Sequence, residues 1–205
     1  ARDDERPPMS DFYGPQHWET LYREGRMPWD AGGVPAELTA YLTRQPNAGR
    51  ALVPGCGSGY EAVALADAGF DALAIDFSAA AVSRAREITA ASPARVEPGD
   101  FFELEDAEFR FIYERAFLCA LPPARRADWA RQCARLLPAG GRLAGYFFLG
   151  PTAADGPPFA IPRDELEALL DGDFERLEDT PAASPLPVFG EAERWQVWQR
   201  RDHDA

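Results

Sequence analysis

One stretch constrains the fold of this chain more than any other: Arg50-Ala-Leu-Val-Pro-Gly-Cys-Gly-Ser-Gly-Tyr60, with Leu73-Ala-Ile-Asp76 following it. A short apolar run, Ala51 to Val53, meets a turn carrying Gly55, Gly57 and Gly59. A helical pattern comes next, then a second apolar run that ends in an acid. Strand, tight turn, helix, strand, acid is the order in which one half of a dinucleotide-binding sheet holds an adenosine cofactor. Glycines let the backbone turn sharply and let a ligand come close, because a Cβ there would collide with it. Asp76, at the tip of the second strand, is placed to accept hydrogen bonds from both ribose hydroxyls. The same turn narrows the chemistry. Tyr60 stands where Gly-x-Gly-x-x-Gly has its last glycine, which weakens a nicotinamide reading without excluding it. There is no Gly-x-x-x-x-Gly-Lys-Ser/Thr loop for a nucleoside triphosphate. A Ser-His-Asp hydrolase lacks its Gly-x-Ser-x-Gly elbow, and only His17 and His203 are present.

Around this turn the pattern alternates strands and helices. Residues 11–33 are rich in rings (Phe12, Tyr13, Trp18, Tyr22, Trp29), and a short helix over 19–24 puts Trp18 and Tyr22 on one face. Gly25 to Gly33 reads as a loop. These rings either pack a leading helix on the sheet or form a helical lid over a ligand. Helices are expected over 34–43, 60–68 (stopped by Gly69), 78–91 (capped by Ser78), 122–137 and 162–170. Strands are expected over 51–53, 72–75, 94–98, 109–113, 142–149, 174–178 and 194–199. That order gives an α/β, Rossmann-like three-layer sandwich. Ligands of such sheets bind beyond the carboxyl ends of the strands. Glu114 and Arg115 stand there, either at the site or as a surface ion pair. Asp100 and Phe101, in the loop after the third strand, either flank an adenine ring or serve a turn.

Composition sets the remaining bounds. The 205 residues suit one domain, expected over 11–201 behind a mobile tail at 1–10 that lacks the apolar core of a signal peptide. No apolar run approaches the ~20 residues of a membrane helix. Cys56, Cys119 and Cys133 form no Cys-x-x-Cys pair, so a disulfide framework and a metal site are not expected and a reducing cytoplasm fits. A formal net charge of −13 repels phosphate backbones, so a small molecule rather than nucleic acid is the expected partner, on a chain expected to be monomeric.

Several stretches carry a family likeness: Trp18…Tyr22…Gly25-Arg-Met-Pro-Trp-Asp30, Leu52-Val-Pro-Gly-Cys-Gly57, Ile75-Asp-Phe-Ser78, Gly99-Asp-Phe-Phe102, Phe117-Leu-Cys-Ala-Leu-Pro122 and Gly156-Pro-Pro-Phe159. In this combination and order the sequence resembles the thiopurine S-methyltransferase family of class I S-adenosylmethionine-dependent methyltransferases, nearest the bacterial and plant-type thiol and halide enzymes. The resemblance implies a seven-stranded, mostly parallel sheet of order 3-2-1-4-5-7-6 with its seventh strand antiparallel. It also implies that Trp18, Tyr22 and Trp29 wrap the methionine end of S-adenosylmethionine. Gly55 and Gly57 would touch the cofactor, Asp76 would hold its ribose, and Asp100 with Phe101 its adenine. Arg115 matches an arginine near cofactor and substrate. The chain departs from the pattern at Glu114, where relatives carry aspartate, and at Phe148, where the plant halide enzymes carry a tyrosine with Tyr146 close by here. The second departure weighs against halide or thiocyanate as acceptor.

A thiol, with a pKa near ~8.5, is partly ionised at neutral pH and needs little help as a nucleophile, whereas an alcohol needs a strong base. A soft acceptor, most simply a thiol, is therefore expected, with Arg115 stabilising the anion. A nicotinamide-linked oxidoreductase and a non-catalytic nucleotide-binding module remain as alternatives.

Overall fold

The computed structural model describes residues 14–44, 48–105, 108–152 and 156–202. The expected tail at 1–10, the rings of Phe12 and Tyr13, and His203 lie outside the described residues. The strands are β1 (Arg50–Pro54), β2 (Asp71–Asp76), β3 (Arg95–Pro98), β4 (Phe111–Arg115), β5 (Arg142–Phe148), β6 (Phe174–Pro181) and β7 (Glu193–Arg200). The helices are α1 (Pro15–Arg23), α2 (Ala36–Arg44), α3 (Tyr60–Asp67), α4 (Ala79–Ile88), α5 (Arg126–Leu136) and α6 (Arg163–Leu170).

The strands form one sheet in the order β3-β2-β1-β4-β5-β7-β6, as the resemblance implies. β1 to β5 pair in parallel, and β7 runs antiparallel to both β5 and β6. Side chains alternate between the faces of a strand, and here both faces are covered. Leu52, Leu73, Ile112, Leu143 and Trp198 point into one core, with Trp129 and Cys133 of α5 and Leu166 of α6. Ala51, Val53, Ala74, Phe111, Tyr113 and Trp195 point into the other, with Leu38 of α2, Leu65 of α3 and Val82 of α4. Each large side chain so removed from water contributes about 1.5–3 kcal/mol. Along β7, Trp195 and Val197 enter one core and Trp198 the other, so this strand alternates between two cores rather than between core and solvent.

Local chemistry sets the element ends. Pro15 occupies the first turn of α1, where its missing N–H costs nothing. The Ser78 hydroxyl caps α4 by accepting the Ala81 N–H at 3.2 Å. β4 runs to Arg115, two residues beyond the sequence expectation, so Glu114 and Arg115 are strand residues pointing to opposite faces. Gly145 of β5 lies beside them, and a Cβ there would stand 1.8 Å from the Glu114 carbonyl oxygen.

Candidate active site

The carboxyl ends of β1, β2 and β4 open on a cavity of about 550 Å3. Its floor is the glycine turn, where Gly55, Gly57 and Gly59 take φ of +55°, +51° and +78°, conformations that residues with a Cβ rarely adopt. The turn also keeps space for the protein's own rings. A Cβ on Gly55 would stand 2.5 Å from Cδ2 of Phe117, and one on Gly57 would stand 2.6 Å from the Tyr22 hydroxyl. Asp76 ties the turn to β2: its carboxylate accepts the Gly57 N–H at 3.2 Å and the Ser78 N–H at 2.9 Å. Burial raises the Asp76 pKa, and these two donors pull it back.

The roof is α1 with the loop that follows it. Trp29 meets Trp18 and Tyr22 edge to face, with ring centroids 5.3 Å and 5.9 Å apart, and its indole N–H donates to the Tyr22 hydroxyl at 3.2 Å. Polar ties hold the roof down. Glu19 accepts the Ser78 hydroxyl at 2.7 Å and the Ala80 N–H at 3.0 Å. Asp30 accepts the Ser58 hydroxyl, the Gly32 N–H at 2.8 Å and Arg84 at 3.3 Å. Arg84 in turn donates to Ser58 at 2.6 Å.

The back wall is the end of β4. Arg115, its side chain 6% exposed, donates through Nε and Nη2 to Glu193 of β7 at 3.0 Å and 3.3 Å and lies 4.3 Å over the Tyr146 ring. This pair is buried, so removing one partner strands a charge. Glu114 faces the other way. One of its oxygens accepts the Phe117 N–H at 3.1 Å and the Leu118 N–H at 2.9 Å, closing a turn in which Ala116 holds φ of +59°. Burial pushes the Glu114 pKa up to about 7.

Trp18, Tyr22, Trp29, Gly55, Gly57, Asp76 and Arg115 all line the cavity. Asp100 and Phe101 are not brought to its wall. Asp100 caps a short turn by accepting the Phe102 N–H at 2.9 Å, and Phe101 is buried against Phe117 with centroids 5.4 Å apart. Phe77 and Phe117 stand in the wall instead. Tyr146 is likewise outside it: its hydroxyl donates to Glu37 of α2 at 2.6 Å. Phe148 packs on Phe189, which does line the cavity. Sequence reasoning missed Glu19, Asp30 and Glu61. Asp30 had a signal, the Pro-Trp-Asp motif; Glu61 had only its place after the glycine turn.

These residues fit S-adenosylmethionine. The volume falls within the ~300–1,000 Å3 of ordinary small-molecule sites. A carboxylate stands at the tip of β2, aromatic faces suited to a sulfonium line the roof, and the cradle would be filled by a Cβ. Among the described residues no cluster of His, Cys, Asp and Glu is arranged to hold a metal ion, and no helix is long and apolar enough to cross a membrane.

Comparison with known proteins gives the family and supports the fold. Residues 13–201 match the model of the thiopurine S-methyltransferase (TPMT) family. A probable thiol methyltransferase 2 of Arabidopsis thaliana is 37% identical over 161 residues, covering 75% of this chain and 70% of that one. Thiocyanate methyltransferase 1 of the same plant is 32% identical over 160 residues, covering 75% and 70%. In fold, the chain is similar to Burkholderia thailandensis 1,6-didemethyltoxoflavin-N1-methyltransferase, solved with S-adenosylhomocysteine. The TM-score is 0.74 at 18% identity, over 98% of this chain and 93% of that one. None of these proteins is an oxidoreductase, so that alternative gains no support. The chain belongs to the thiopurine S-methyltransferase family and is an S-adenosylmethionine-dependent methyltransferase.

Proposed function

We propose that this enzyme methylates a small thiol. S-adenosylmethionine supplies a methyl group already activated on a sulfonium, so the protein's task is to align a nucleophile with it and exclude water. The glycine turn and Asp76 hold the nucleoside and methionine parts over β1 and β2. Trp18, Tyr22 and Trp29 close over the sulfonium, which an aromatic face attracts by roughly 0.5–2 kcal/mol. Phe117, propped by Phe101, stands in the cavity wall where a ring can flank the adenine.

The acceptor then enters over β4, β5 and β7, beside the β1/β4 crevice where the strand order reverses. The observation that carries the thiol is the chemistry of this side. Leu121, Pro122, Pro157, Pro158, Val188 and Phe189 make its wall apolar, with the Arg115 guanidinium at its back. Such a wall receives a compact apolar body and favours the anionic form of an ionisable headgroup. Arg115 already shares its charge with Glu193, so its pull on a thiolate is moderate, which suits a nucleophile that ionises easily.

A turnover screen with mass detection tests the reading, using an aryl thiol, an alkyl thiol, iodide, thiocyanate and a primary alcohol. Thiols should show the highest kcat/KM. An alcohol or an inorganic anion outrunning both thiols would overturn it.

A further inference from the structure

Three acids line the cavity: Asp30, Glu61 and Asp76. Two are already committed. Asp30 holds Ser58, Gly32 and Arg84, and Asp76 holds the N–H groups of Gly57 and Ser78. Glu61 is different. It sits in the first turn of α3, two residues past the left-handed Gly59, and among the described residues no ion pair holds its carboxylate.

We infer that Glu61 is the counter-charge for the α-ammonium at the methionine end of the cofactor. Its place supports this, because it rises from the segment that floors the cavity, between that floor and β4. The groups facing it are Asp30 from the roof loop, Tyr113 and Arg115 from β4, and the Cys56 thiol from the glycine turn. The Tyr113 hydroxyl is buried in the wall beside the Glu61 carboxylate and makes no well-aligned hydrogen bond there. A buried tyrosine hydroxyl beside an acid that no ion pair holds marks a polar subsite in an otherwise apolar cavity, which an amino-acid headgroup completes. The acid without its ligand also behaves accordingly. Burial above all, with the Asp30 charge behind it, lifts its pKa to about 6 against the pull of its own backbone N–H, the Arg115 charge and the Tyr113 hydroxyl. A cation brought beside it lowers that pKa, so binding near pH 6 expels a proton to solvent.

Isothermal titration with S-adenosylhomocysteine and with its des-amino analogue tests the inference. Glu61→Gln should weaken S-adenosylhomocysteine by about tenfold or more, as expected for a lost hydrogen bond to a charged group, and leave the des-amino analogue unchanged. Wild-type affinity for S-adenosylhomocysteine should fall as pH drops through about 6, with proton release read from buffers of different ionisation enthalpy; Glu61→Gln should abolish both. Equal weakening of both ligands would make Glu61 merely structural. Unchanged binding with an altered pH–rate profile would make it a proton acceptor. Either outcome overturns the counter-charge. Should the variant not fold, absence of proton release by the wild type does so alone. The inference rests on S-adenosylmethionine as cofactor, and the failures are separable: no wild-type binding sinks the cofactor, whereas binding indifferent to Glu61→Gln sinks only this role.

Discussion

The floor and the roof of the cavity are built on opposite principles. The floor is backbone: three left-handed glycines between strands whose residues Ala51, Leu52 and Val53 are buried. The roof helix α1 contains no buried residue, and side-chain hydrogen bonds to α4 and the glycine turn hold it in place. Apolar burial is non-directional and costly to undo, whereas a few partly exposed polar bonds open at low cost. A site made this way has a preformed cradle and a cover that can lift to admit the cofactor. Floor substitutions should then damage binding with the fold, and roof substitutions should damage binding alone.

The largest effect is expected where the two meet. Gly57→Ala forces a Cβ into a φ of +51° and toward the Tyr22 hydroxyl at 2.6 Å. The left-handed backbone alone costs about 1–2 kcal/mol, which lowers Tm by roughly 2–8 °C in a chain of this size. With Tyr22 also displaced, S-adenosylhomocysteine affinity should fall about 100-fold, some 2.7 kcal/mol. Unchanged melting and unchanged calorimetric affinity together would show that the turn tolerates a side chain, and the contrast with the roof would fail.

A smaller effect separates the floor from the roof by pH. Glu114 lies under the back wall with one oxygen buried and unpartnered and with the Cys119 and Cys133 thiols facing it. Burial raises its pKa from an ordinary 4.5 to about 7. The folded protein therefore keeps a proton that the unfolded chain releases, so stability is lost as pH rises from about 4.5 through about 7. Glu114→Gln can still accept the Phe117 and Leu118 N–H groups but does not titrate. It should flatten that loss by about 2 kcal/mol or slightly more, read as the wild-type-minus-variant difference in denaturant unfolding at pH 5 and pH 7.5. A pH-independent difference would refute the assignment.

The two regions also differ in how far sequence exposes them. The floor was legible because its determinants are local: glycine spacing, an apolar run and a terminal acid fall within residues 50–76. The roof was legible only as a cluster of rings. What fastens it spans long separations, 59 residues from Glu19 to Ser78 and 54 from Arg84 to Asp30, and no local pattern encodes such pairs. Asp100 illustrates the reverse problem. An acid after a strand suits a ligand or a turn equally well in sequence, and one Asp100 oxygen caps a turn here, a role that does not itself decide between the two. Glu61 carries no sequence signal because a residue in a helix's first turn can face the cavity or solvent, a choice fixed by how α3 packs on β1 and β2. The strand order followed from family likeness, since strand periodicity does not state which strands are neighbours.

The smallest predicted effect isolates the roof's fastening from everything beneath it. Glu19→Gln keeps the length and shape of the side chain but replaces the carboxylate that receives the Ser78 hydroxyl and the Ala80 N–H. Those donors, the Ala80 N–H foremost, hold the Glu19 pKa below its usual 4.5. An acid with a depressed pKa keeps its bonds above that value and loses them only as pH falls through it, so the wild-type fastening is intact across neutral pH. Because no residue of α1 is fully buried, melting should hardly move. S-adenosylhomocysteine affinity should fall about threefold, the scale of one weakened, solvent-screened tie, and cleavage of α1 by a dilute protease should quicken by a similar factor. Ligand should suppress the extra cleavage, because a closed roof restores the remaining contacts of Asp30 and Trp29. If melting fell while affinity and cleavage held steady, α1 would belong to the core, and the roof would be no cover but a fixed wall.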